Sequence, residues 1–75
     1  MKFETVNDYS IAIADYLCDE YGDMSKQMQL TDDESRIAGI IVNRCYENAD
    51  SVNNAAHFLL EFLLEINSKK DNNDN

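Results

Sequence analysis

The chain has 75 residues, 44% of them hydrophobic, and its fifteen acidic against six basic residues leave a net charge of −9. That length allows a single domain. That charge disfavours direct binding to nucleic acid or to an anionic membrane, both of which need basic surface, and favours a protein partner with basic surface instead.

The opening segment MKFETVNDYS lacks the charged-then-apolar pattern of a secretory leader, and no apolar run reaches membrane-spanning length. Cys18 and Cys45 are too few for a disulfide framework and read as small hydrophobes on apolar helix positions. Together these features predict a soluble, cytoplasmic protein. Proline is absent, and Gly22 and Gly39 are the only glycines, so helices meet few interruptions.

Thr5, followed by Val6, Asn7 and Asp8, resembles a capping box with aspartate in the glutamate position, and predicts a first helix over about residues 6–21. Its apolar positions are Val6, Tyr9, Ile13, Tyr16, Leu17 and Tyr21, with Ile11, Ala14 and Cys18 alongside. Gly22 supplies the stop. Residues 23–30 show no period and read as a linker, whose Met24, Met28 and Leu30 are placed to cap the core.

Thr31-Asp32-Asp33-Glu34 is a cleaner capping box, with three acids at the positive end of the helix dipole. It predicts a second helix to about Asn48, with Ile37, Ile41 and Cys45 repeating at i+4 and Ala38, Ile40, Val42 and Tyr46 broadening the face. Gly39, costly inside a helix, suggests a close helix crossing. Arg36 and Arg44 are expected to pair with nearby acids such as Glu47 or those of the first helix, or else to form a small basic contact point.

A short connection at residues 48–51 makes the next helix an antiparallel neighbour, capped by Asp50 or Ser51. The third helix, Ser51 to Asn67, places Val52, Ala55, Ala56, Leu59, Phe62, Leu63 and Ile66 on one face, and Phe58, Leu60 and Leu64 widen that face. The polar Ser68–Asn75 reads as a disordered tail. The expected architecture is therefore all-α: a three-helix bundle over residues 1–67 with a tail at 68–75, completed by homodimerisation through the wide third helix.

The inventory for chemistry is thin. His57, the only histidine, has Glu61 one turn later, and no further ligand completes a metal site. Asp32-Asp33-Glu34 lacks the spacing of a calcium loop, and no phosphate-binding loop or nucleophile elbow is present. No enzyme, metal or cofactor is expected.

What stands out is the distribution of acid. Between Phe3 and Glu34 lie Glu4, Asp8, Asp15, Asp19, Glu20, Asp23, Asp32, Asp33 and Glu34, against Lys26 as the only base. Asp8, Asp15 and Asp19 fall within about 40° of one another on a helix, beside the apolar face. A helix face that declines i,i+4 pairs with lysine or arginine in favour of one sign suggests imitation of a nucleic-acid backbone. The leading expectation is a non-enzymatic inhibitor or regulator, of a kind a phage or mobile element would direct against a host factor. It would bind the nucleic-acid-facing surface of another protein through those nine acids. The alternative is an interaction module, such as an immunity or adaptor protein, that binds through Phe58, Leu60 and Leu64.

Overall fold

The computed structural model describes residues 3–72, with side chains from Phe3 to Lys69. Three helices follow one another: α1 (Val6–Tyr21), α2 (Asp32–Glu47) and α3 (Val52–Asn72). Each begins where its cap predicts. The Thr5 hydroxyl accepts from the Asp8 N–H at 3.1 Å. At α2 the box closes in both directions, Thr31 Oγ1 accepting from the Glu34 N–H while Glu34 Oε1 accepts from the Thr31 N–H. Ser51, not Asp50, caps α3 by accepting from the Asn54 N–H at 3.2 Å.

Gly22 ends α1 with φ +81°, a conformation that side chains with a Cβ rarely adopt, and its N–H bonds the Cys18 carbonyl at 2.9 Å. The α2–α3 corner uses Ala49 at φ +57°, with the Asp50 N–H bonded back to the Cys45 carbonyl.

The core runs between all three helices. α1 contributes Tyr9, Ile13 and Leu17, α2 contributes Val42 and Cys45, and α3 contributes Ala55, Ala56, Leu59 and Leu63. Met24 closes one end from the linker, and Leu30 packs against it, whereas Met28 is exposed. An aromatic cluster ties the other end. The Tyr9 ring lies 5.5 Å from both Phe3 and Tyr46, and the Tyr46 hydroxyl donates to the Phe3 carbonyl at 3.1 Å.

Four expectations change. On α2 the packed face is Ala38, Ile41, Val42, Cys45 and Tyr46, and of the expected positions only Ile37 and Ile40 are exposed. On α1 the residues Ile11, Cys18 and Tyr21 lie outside the core. Gly39 marks no close crossing, because a Cβ built there meets nothing within 4 Å. Lastly, α3 continues through Asn72, so 68–72 is helical where a tail was expected, and 73–75 lies outside the described residues. The added turn is supported by an exposed Lys69–Glu65 pair at 3.6 Å and by lysines at the negative end of the dipole. Nothing among the described residues forms a helix long and apolar enough to cross a membrane.

Candidate partner-binding surface

Successive α1 residues are rotated by 100°, which fixes where its acids point. Tyr9, Ile13 and Leu17 define the buried line. Asp8, Asp15 and Asp19 then lie about 140° away from it, facing outward rather than flanking the core as expected. All three are exposed, and none has an ion-pair partner among the described residues. Along the axis they span about 16 Å at 1.5 Å per residue.

The remaining acids divide by role. Glu4 and Asp32 are exposed at the starts of α1 and α2. Glu20 is exposed but sits about 100° around the helix from Asp19, so it does not extend the line. The Asp23 carboxylate accepts from the Ser25 N–H at 2.9 Å, and that bond holds its pKa below the ordinary range. Glu34 is engaged in the α2 capping box. Asp33 reaches Arg36 only at 4.0 Å, with both side chains largely in solvent, so the pair contributes little. Of nine acids read as one surface, three form a line and two serve local backbone structure.

One residue that belongs to this face was placed with the core by its hydropathy. Ile11 is 53% exposed and stands one turn from Asp8 and one turn from Asp15. The outer face of α1 is therefore an apolar knob between carboxylates. The signal was present in the sequence, since Ile11 is about 160° from Ile13 on the helix wheel.

The apolar alternative does not form one patch. Phe58 and Leu64 are both more than half exposed, but they sit about 120° apart on α3. Phe58 lines an open groove of 310 Å³ with Ile41, Arg44, Cys45, Asn48 and Asp50 on the α2 side. Leu64 faces the linker beside Lys26, Gln27, Asn67 and Ser68. Leu60 is half-buried against the core.

Burial pushes the Cys45 thiol up from its ordinary pKa, and the neighbouring Asp50 carboxylate pushes it further. This is a poor setting for a nucleophile, which needs the thiolate. His57 and Glu61 are exposed on α3. Among the described residues no three His, Cys, Asp or Glu side chains are grouped to hold a metal. No known protein family, curated protein or solved structure matches the chain.

Proposed function

We propose that the protein is a non-enzymatic regulator whose outer α1 face occupies the basic, nucleic-acid-facing surface of a partner protein. The observation that carries this reading is the line of Asp8, Asp15 and Asp19, exposed and free of any cation among the described residues. A soluble helix gains a few tenths of a kcal/mol from each i,i+4 ion pair, and α1 contains no lysine or arginine to make one.

Charge density sets the terms of the mimicry. Three carboxylates over about 16 Å are several-fold sparser than the duplex, which carries one charge per about 1.7 Å. Long-range attraction thus brings the partner in, and Ile11 supplies a short-range contact that a bare polyanion lacks. The partner surface that fits is a cluster of lysines or arginines around a small apolar socket. The biological setting proposed is a phage or mobile-element product directed against a host factor. The reading through α3 has less to recommend it, because Phe58 and Leu64 point to different sides.

The test is affinity capture from bacterial lysate at low and moderate salt, with DNA as competitor, using wild type and the Asp15→Lys/Asp19→Lys double variant. A retained nucleic-acid-binding protein, displaced by DNA and by salt and lost in the variant, supports the reading. Equal retention by wild type and variant removes it.

A further inference from the structure

The outward face of α2 carries four residues in the 4-3-4 spacing of a coiled-coil seam: Asp33, Ile37, Ile40 and Arg44. They lie within about 60° of one another, and their centre is more than 120° from the buried line of Ala38, Val42 and Cys45. The structure leaves this face uncovered. Ile37 is 46% and Ile40 53% exposed, the Asp33 side chain is 88% exposed, and Arg44 is exposed with no ion pair among the described residues. Two isoleucines side by side, each about half exposed, leave apolar surface in water that a domain this small would gain from burying.

We infer that this face pairs with the same face of a second copy, α2 against α2 in antiparallel, about a two-fold axis. The order of residues along the stripe selects this arrangement. In an antiparallel pair the first of four seam positions meets the last of the partner helix, and the second meets the third. Ile37 then packs on Ile40 of the second copy and Ile40 on its Ile37, while Asp33 meets Arg44 at one end and Arg44 meets Asp33 at the other. A two-fold interface requires this reciprocity, in which residue i contacts j and j contacts i. The stripe satisfies it in charge and in shape. A parallel pairing would instead set Asp33 on Asp33 and Arg44 on Arg44, and like charges in register are repulsive.

The flanks agree. Across the antiparallel seam Arg36 comes opposite Asn43, so the two copies of Arg36 do not face each other. On the opposite flank, Ile41 and the exposed Phe58 of α3 extend the apolar strip. The partner that this surface fits is thus a second copy of the chain, joined through α2 rather than through the third helix as its hydropathy suggests. The seam shares no residue with the α1 line of Asp8, Asp15 and Asp19. Molecular mass tests the seam and partner capture tests the α1 reading, so each fails separately.

The experiment is sedimentation equilibrium of the full chain at 0.15 M salt, where repulsion between the two acidic copies is screened over about 8 Å. Wild type is expected at twice its 8.6 kDa mass. Ile40→Glu is expected to sediment as a single copy with unchanged helix content by circular dichroism, since that side chain is more than half exposed and lies outside the core. Asp33→Arg alone and Arg44→Asp alone are each expected to be monomeric, because each places one sign at both ends of the seam. Mixed in equal amounts, the two variants are expected to form a dimer, as every end contact then pairs opposite charges. The proposal is overturned by a wild-type chain that stays at 8.6 kDa throughout its soluble range. It is equally overturned by a dimer that survives Ile40→Glu, or by charge variants that remain monomeric when mixed.

Discussion

The hydroxyl of Tyr9, in the second turn of α1, donates a 2.8 Å hydrogen bond to the backbone carbonyl of Asp50, forty-one residues away in the α2–α3 corner. The ring itself is fully buried, so one side chain fills the aromatic cluster and satisfies a carbonyl where the chain reverses. Tyr9→Phe keeps the ring and removes the bond. A loss of about 1 kcal/mol in unfolding free energy is expected, as for a typical intramolecular hydrogen bond with one partner left behind. Urea denaturation measures it, and a variant as stable as wild type would show that water replaces the hydroxyl at no cost.

The capping box at Thr31 gives a second test. Its hydroxyl satisfies the Glu34 N–H, one of the donors that a helix start leaves without a backbone partner. Thr31→Ala is expected to cost about 1 kcal/mol. Thr31→Ser, which keeps the acceptor, is expected to cost far less, and the comparison separates capping from loss of the methyl group.

The two glycines predict opposite signs. Gly39 lies within α2 with nothing within 4 Å of an added Cβ, so Gly39→Ala should stabilise by up to about 1 kcal/mol through helix propensity. Gly22 is equally uncrowded, but its φ of +81° strains any residue with a Cβ, and Gly22→Ala should destabilise by about 1 kcal/mol or more. Thermal melts of the two variants should move in opposite directions.

Stability should also fall at alkaline pH for an identifiable reason. The Cys45 thiol is raised above its ordinary 9.0 by burial and by Asp50. The Tyr9 hydroxyl is raised above 10.0 by burial, then by Cys45 and Asp50. In both cases the folded chain holds a proton that the unfolded chain releases. The contribution is complete below the unfolded pKa and is lost as pH rises toward the folded one, at up to about 1.4 kcal/mol per pH unit for each group. Denaturant midpoints should therefore be level to near pH 9.0 and then decline. In Cys45→Ala the decline should start later, near the tyrosine value.

Much of the fold was legible because caps and stops are local chemistry. Thr5, Gly22, Thr31 and Ser51 set helix ends through bonds to residues three or four positions away, and periodicity alone identified the Val52-to-Ile66 core line of α3. The facing of α2 was legible only in part. Ile37 and Ile40 make one apolar stripe, Ala38, Ile41, Val42 and Cys45 make another, and hydropathy alone does not separate them. Tertiary packing chose the second. The same ambiguity put Ile11 beside the α1 core and put the acidic line beside it, when Ile11 and the acids share the outer face. A helix with two apolar stripes does not state which of them its own chain covers.

Cys18 gives this arrangement a practical side. Its thiol is exposed while Cys45 is buried, so dissolved oxygen or another oxidant acts first on Cys18, joining two chains by a disulfide. That joint lies on α1, and the proposed α2 seam lies elsewhere. Two self-complementary joints on one chain alternate without closing unless their geometry forms a ring. Aged preparations lacking reductant should therefore build ladders and high-mass material that Cys18→Ser abolishes. A gel of such a sample reports storage history rather than the assembly that the sequence encodes.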